Sequence, residues 1–216
     1  MAGSPCPIEV MRRVVAELHM AEVTIMYGMT ETSPVSTMTR RSDPLERRVS
    51  TVGTVMPHVE MKVVAPDTDR PVPRGEPGEV CTRGYSVMLG YWEAPEQTAE
   101  AFAGGWLHTG DVGKLDEDGF LYIVDRTKDM IVTGGFNVFP REVEDVLSTH
   151  EAVGQVVVIG VPDEQWGEAV KAVIVLKPNF TASDELIAAM QALVKKAKGS
   201  VQSPKSIDFV PGIPLT

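Results

Sequence analysis

The sequence predicts a mixed α/β (α+β) protein in three stretches: an opening α/β piece, a β-rich middle over 49–125, and a small α+β domain over 128–216. Three observations carry this reading. Near the N-terminus a segment of helical period leads into a short apolar run that breaks at Gly28 into a polar loop. From about Val49 to Val124, short strand-like runs are separated by Pro and Gly clusters. After Lys128, helix and strand patterns alternate again.

Taken in order, Pro7 to Leu18 reads as a helix, because Ile8, Met11, Val15 and Leu18 recur at helical spacing and Pro7 suits a first turn. Val23 to Met26 reads as a buried strand. Loops at the carboxyl ends of strands in open α/β sheets are where ligands bind, so the loop after it is a candidate site. In the middle, Val59–Val64 and Glu79–Arg83 read as strands, with Pro71, Pro73, Gly75, Pro77 and Gly78 punctuating the gap. Asp116-Glu117-Asp118-Gly119 is a turn signal between Val112–Leu115 and Phe120–Val124, which predicts a hairpin. A small barrel or a twisted sheet is expected here.

Beyond Lys128, Pro140 to Leu147 reads as a helix with Pro at its start. Gln155–Val161 is a buried strand ended by Pro162-Asp163, and Ala169–Leu176 is another. Ser183 is a good helix N-cap, with Asp184 and Glu185 in the first turn. Leu186, Ile187, Met190, Leu193, Val194 and Ala197 then form one apolar stripe. Lys195, Lys196 and Lys198 crowd the last turn, and Gly199 ends it.

Composition narrows the function classes. The 216 residues carry a net charge of −10, from 20 basic and 30 acidic side chains, which argues against a broad nucleic-acid surface. No apolar run reaches the length of a membrane span, and the N-terminus has no apolar signal region, so a cytoplasmic protein is expected. Cys6 and Cys81 form no C-x-x-C pair and are expected to be buried reduced thiols. His19, His58, His108 and His150 show no metal-ligand spacing, and a structural role is expected of His108. Gly84-Tyr-Ser-Val-Met88 lacks the second glycine of a serine-hydrolase elbow. Gly113-Lys114 lacks the upstream glycine and the Ser or Thr of a phosphate-binding P-loop.

Four polar clusters carry the candidate chemistry. Tyr27-Gly28-Met29-Thr30-Glu31 offers an aromatic face for a purine, a glycine for close backbone approach, a hydroxyl for a phosphate oxygen, and a hard oxygen ligand for Mg²⁺. The plain alternative is a strand-to-loop turn with a solvated Glu. Asp111 closes Thr109-Gly110-Asp111, and its two acceptor oxygens match the two adjacent hydroxyls of a ribose, although an Asp beside Gly is also a common turn. Arg126 has the forked charge suited to a ribose oxygen or phosphate, or to a surface salt bridge. Lys128 lies where the β-rich region ends, and Gly134-Gly135 makes a loop without side chains, either a plain turn or a passage for a thin ligand.

In their order and spacing, these clusters resemble the motifs of the adenylate-forming (AMP-binding) enzymes: acyl-CoA synthetases, luciferases and peptide-synthetase adenylation domains. Gly53-Thr-Val-Met-Pro57 and Gly84-Tyr85 with Gly90-Tyr91-Trp92 also fall in family positions. The run from Gly84 to Trp92 and Gly160-Val-Pro-Asp-Glu-Gln-Trp-Gly-Glu168 look most like bacterial fatty acyl-CoA synthetases.

The resemblance implies roles. Tyr27, Gly28, Thr30, Asp111 and Arg126 would bind ATP or AMP, with Thr30 and Glu31 at the reacting phosphate and Glu31 on Mg²⁺. Lys128 would be the hinge of a small C-terminal lid domain, and Gly134 and Gly135 would line the tunnel for CoA. Residues 1–127 would be the C-terminal part of the large AMP-binding domain and 128–216 the lid, incomplete at its end. The partners would be small molecules (fatty acid, ATP and CoA), with a homodimer compatible. The family's upstream phosphate loop ending in Pro-Lys-Gly and its late Pro-x-Gly-Lys motif have no match here, and Lys205 lies too early to serve. The expectation is therefore the C-terminal half of a synthetase, short at both ends and without ligase activity of its own. The alternatives are a nucleotide-binding or interaction fragment, and the adenylation domain of another adenylate-forming enzyme.

Overall fold

Residues 8–65 and 68–213 are described by the computed structural model. Contacts along the chain divide it into two units, Met1–Thr127 and Lys128–Thr216. Cys6 and Pro7 lie outside the described residues.

In the first unit, helix α1 (Ile8–Glu17) buries Met11 completely against Val23, Ile25 and Val49, with Val14, Val15 and Val52 packed around them. Ile8 and Leu18, expected in the same stripe, are exposed; the helix stops at Glu17, so Leu18 lies past its last turn. The strand expected over Val23–Met26 is shifted. Strand β1 is only Met26–Tyr27, paired antiparallel with β2 (Thr37–Met38), which pairs with β3 (Thr54–Val55). Val23 and Ile25 are buried, but a side chain serves the backbone there: Ile25 N–H donates to Thr39 Oγ1 at 2.9 Å. An unforeseen helix α2 (Leu45–Ser50) takes Val49 into the α1 cluster, so the β-rich stretch starts later than residue 49.

The second sheet is open rather than a barrel. It contains β4 (Val59–Val64), β5 (Gly78–Gly84), β6 (Phe102–Ala103), β7 (Trp106–Leu115) and β8 (Leu121–Arg126), all antiparallel. The long strand β7 pairs with β5 along one edge; β6 covers the start of its other edge and β8 the end. Helix α3 (Pro95–Ala101), with Pro in its first turn, precedes β6 and was not anticipated. The predicted hairpin is present: Asp116 Oδ1 accepts the N–H of Phe120 at 2.9 Å across its turn.

The second unit is built on a five-stranded sheet. Its path runs β10 (Phe136–Val138), β9 (Ile131–Thr133), β12 (Gly167–Leu176), β11 (Val153–Asp163), with β13 (Ser206–Phe209) parallel to β12. Helices α4 (Pro140–Ser148) and α5 (Asp184–Lys198) close over it. Val143 and Leu147 of α4, and Met190 and Val194 of α5, join Ile131, Val158, Ala172 and Ile174 in one core. Ser183 caps α5 as predicted, its hydroxyl accepting the N–H of Leu186 at 3.2 Å. Ala197, placed in the apolar stripe from spacing, is exposed near the helix end. Strand β11 runs through Pro162-Asp163 instead of ending before them, since both pair across to β12. The chain then turns because Asp163 Oδ1 accepts the N–H groups of Gln165 and Trp166, each at 2.9 Å.

Candidate functional site

Asp111 and Arg126 stand directly opposite one another on β7 and β8. Their side chains approach to 3.5 Å, Arg126 Nε to Asp111 Oδ1. Tyr27 arrives from the other sheet, and its hydroxyl donates to Asp111 Oδ2 at 2.9 Å. Tyr27, 84 positions before Asp111 in sequence, and Arg126 thus share one carboxylate. Thr109 fixes the local backbone: its hydroxyl donates to Val80 O at 2.7 Å and accepts the Asp111 N–H at 3.2 Å.

Burial dominates the electrostatics here. It lifts the Asp111 carboxyl above the ordinary aspartate value, with the nearby charge of Glu79 adding to the rise; Tyr27's hydrogen bond and the charge of Arg126 pull the other way. Burial and then the Asp111 charge push the Tyr27 phenol well above its ordinary value, so its hydroxyl remains a donor.

The other residues of the Tyr27–Glu31 cluster are placed differently. A Cβ on Gly28 would lie 1.8 Å from the carbonyl oxygen of Pro34, so the chain's own turn requires this glycine whatever a ligand needs. Thr30 opens a 3-10 turn (Thr30–Thr32) and is exposed. Glu31 is half-buried, and its Oε1 accepts from the Tyr91 hydroxyl at 2.8 Å. The Glu31 carbonyl also accepts the Met88 N–H at 2.8 Å, tying this turn to the Gly84–Trp92 loop. Two residues thus have supporting roles that the sequence did not show. Tyr91 orients Glu31, and Glu79 accepts the Gly110 N–H at 3.1 Å.

Among the described residues, Asp69, Cys81 and His108 form a group of metal-ligand type, although their spacing gives no sign of it. His108 Nδ1 lies 2.8 Å from Glu79 Oε2 and 3.6 Å from Cys81 Sγ, and its Nε2 lies 3.9 Å from Asp69 Oδ1. The protein's own groups already engage these ligands: Lys62 Nζ is 2.9 Å from Asp69, and Glu79 holds the imidazole. Cys81 is a buried free thiol, as expected, with burial pushing its pKa up to about 12. Such a thiol resists the ionisation that metal ligation requires.

Three sequence-named residues belong to the second unit and are not part of this cluster. Lys128 is exposed in a 3-10 turn (Thr127–Asp129), immediately after the boundary between the units. Gly134 and Gly135 form the two-residue turn between β9 and β10, with φ of +56° and +82°. Positive φ at both positions is the hairpin turn that glycine favours. A Cβ on Gly135 would meet nothing within 4 Å, whereas one on Gly134 would lie 2.5 Å from the Trp166 ring.

The chain matches two family models: the AMP-binding enzyme over residues 1–92, which include the Tyr27–Glu31 cluster, and the AMP-binding enzyme C-terminal domain over residues 142–216. The chain belongs to the AMP-binding enzyme family. It is 51% identical over 195 residues to the medium/long-chain-fatty-acid–CoA ligase FadD8 of Mycobacterium tuberculosis, covering 88% of this chain and 34% of that protein. It is 43% identical to the mitochondrial medium-chain acyl-CoA ligase ACSF2 of Bos taurus, covering all of this chain and 35% of that one. The structure of ATP-bound MatB from Rhodopseudomonas palustris superposes with a TM-score of 0.87 at 34% identity, over all of this chain and 42% of that chain. The chain thus spans roughly a third of the length of these curated relatives.

Proposed function

We propose that this chain serves a fatty acid–CoA ligase, providing its ribose-binding side chains, its metal carboxylate and its passage for CoA. The observation that carries the proposal is the convergence of Tyr27 and Arg126 on Asp111. In the first half-reaction a fatty-acid carboxylate oxygen attacks the α-phosphorus of ATP and pyrophosphate leaves, giving acyl-AMP. In the second, the thiol of CoA attacks the acyl carbonyl carbon and the acyl–phosphate C–O bond breaks, releasing AMP.

Asp111 accepts the ribose hydroxyls, and Arg126 donates to a ribose or phosphate oxygen. Tyr27 orients Asp111 through its hydroxyl and offers its ring to adenine. Thr30, exposed at its turn, donates to an oxygen of the α-phosphate. Glu31 suits Mg²⁺: Tyr91 takes one carboxylate oxygen and leaves the other to a hard cation, which Mg²⁺ sites commonly share with substrate phosphates. Bound there, Mg²⁺ would neutralise charge on the phosphate oxygens. Lys128 is the hinge whose backbone torsions change between half-reactions. Gly134 and Gly135 border the path of the pantetheine arm. No helix among the described residues is long and apolar enough to cross a membrane. We place the protein in the cytoplasm, acting on small molecules, with a homodimer compatible.

The test is a fusion in which this chain replaces the matching third of FadD8, with the parts of FadD8 that precede and follow it restored, assayed with octanoate and palmitate. Pyrophosphate release reports the first step and acyl-CoA the second. Asp111→Ala is expected to raise the KM for ATP by roughly 10- to 150-fold, the loss of one charge-assisted hydrogen bond. Unchanged KM sinks the ribose assignment. Nucleotide binding without turnover is the competing reading: a fusion that binds AMP yet releases neither pyrophosphate nor acyl-CoA would favour it.

A further inference from the structure

The segment Gly160–Glu168 is conspicuous in sequence yet contributes no group to the chemistry proposed above. In the structure its residues converge on one object, the Gly134–Gly135 turn. Trp166 O accepts the Gly134 N–H at 2.9 Å. The Trp166 ring fills the space that a Gly134 side chain would occupy, 2.5 Å from an ideal Cβ. Gly167 is the residue of β12 that pairs with Thr133, immediately before the turn. Glu168 Oε2 accepts the Val132 N–H at 2.7 Å, and Glu168 Oε1 lies 2.8 Å from where a Gly160 Cβ would stand. Lys205 Nζ sits 5.2 Å from the Trp166 ring centroid, within cation–π range.

We propose that Trp166 is a positioning residue that sets the conformation of the Gly134–Gly135 turn, and through it the use of CoA. The CoA part rests on the reading of that turn given under Proposed function. A two-residue turn with both φ values positive is held at its ends by the ladder, but nothing within the turn fixes its tilt. Strand β9 pairs with β12 at a single residue, Thr133, with Glu168 taking the Val132 N–H beside it; Ile131 and Val138 anchor the base of the hairpin in the core, and the turn lies beyond them. The indole, seated against Gly134 and faced by Lys205, supplies the missing constraint.

Hydrogen exchange and ligand titration on the isotopically labelled 216-residue chain test both levels. Trp166→Ala is expected to speed exchange of the Gly134 amide by tenfold or more, while Val158 and Val194 in the core keep their protection. Trp166→Phe is expected to restore most of it. Gly134→Ala alone should lower Tm, and combined with Trp166→Ala it should lower Tm by less than the two separate losses added, because the added methyl then has room. Titrated CoA should shift the Gly134 and Gly135 amides in the wild type and Trp166→Phe, and not in Trp166→Ala, whereas AMP should shift Asp111 equally in all three. Unchanged Gly134 exchange in Trp166→Ala, or strictly additive Tm losses, overturns the positioning role. A loosened turn with no CoA-induced shift in any variant supports the positioning role and overturns the reading of the turn as the CoA path.

Discussion

Asp111→Asn separates what this carboxylate does for the fold from what it does for a ligand. Asparagine keeps the shape and retains an acceptor for the Tyr27 hydroxyl, but it loses the charge. In the folded protein burial disfavours that charge, lifting the Asp111 carboxyl above its ordinary value. A raised carboxyl pKa means that the native state holds the proton more tightly than the unfolded chain does. The stabilising contribution is then fully present below the unfolded value near 4, and it is lost as pH rises through the elevated native value. At neutral pH the ionised Asp111 is therefore a cost to the fold, of the kind that binding sites impose.

The magnitudes follow from the contacts. Asp111→Ala strands the Tyr27 hydroxyl, now 2.9 Å from its acceptor, at a cost of about 1–3 kcal/mol. The Arg126 pair adds little, about 0–1 kcal/mol, because Arg126 is 62% exposed. Asp111→Asn gives up that pair but relieves the buried charge, so at pH 7 it should melt at or above wild type. The alanine variant should melt lower, at about 2–4 °C per kcal/mol for a chain of this length. The advantage of asparagine over wild type should shrink as pH falls toward 4. Nucleotide affinity should fall in both variants. Thermal melts at pH 4 and 7, with AMP titrations, provide the assay. The reasoning fails if asparagine destabilises as much as alanine at pH 7, or if it binds AMP as tightly as wild type.

Three further outcomes are expected. Glu31→Gln should remove most of the Mg²⁺ dependence of ATP binding in the FadD8 fusion while leaving stability within about 0.5 kcal/mol of wild type, since the side chain is only half-buried; an undiminished Mg²⁺ dependence refutes the metal role. Lys128→Pro in the same fusion should fix φ at the hinge and affect pyrophosphate release and acyl-CoA formation unequally, whereas equal losses point to misfolding. Ser183→Ala should cost about 1 kcal/mol by chemical denaturation, because the hydroxyl satisfies the Leu186 N–H at the start of α5, and no change would mean that water replaces the cap.

The legible parts of the fold were those with strong local signals. The cap at Ser183, the Pro140 start of α4 and the turn at Asp116–Gly119 all depend on neighbours within a few residues. The shifted strand at Met26 depends on Thr39, fourteen positions from Ile25, whose hydroxyl takes the place of a ladder partner. Helices α2 and α3 run only six and seven residues, too short for a helical period to stand out. Strand β13 is four residues, and its identity comes from pairing with β12 rather than from its own pattern.

The site divides along the same line. Asp111 and Arg126 could be named from residue chemistry, but their juxtaposition is a product of cross-strand register, and Tyr27 reaches them only because two sheets meet. Glu79 gave no signal and Tyr91 stood out only as part of the Gly90-Tyr91-Trp92 run, because each acts through a contact with a residue far away in sequence. The glycines make the point most sharply. From sequence, Gly28 and Gly134 both suggest room left for a ligand. In the structure that room is already taken, by the Pro34 carbonyl and by the Trp166 indole. A side chain at either position would collide with the protein before it met any nucleotide or CoA. Gly135 differs, since space lies open around its absent Cβ and its φ of +82° suits a bare residue. Of these three glycines, only Gly135 has room for a side chain, and Gly135→Ala, which carries the same backbone strain without the bulk, is the control that lets a bulky substitution probe the ligand path. Gly135→Leu is thus the variant in which intact acyl-AMP formation with lost acyl-CoA formation carries meaning. Full retention of both steps would show that no ligand passes this turn.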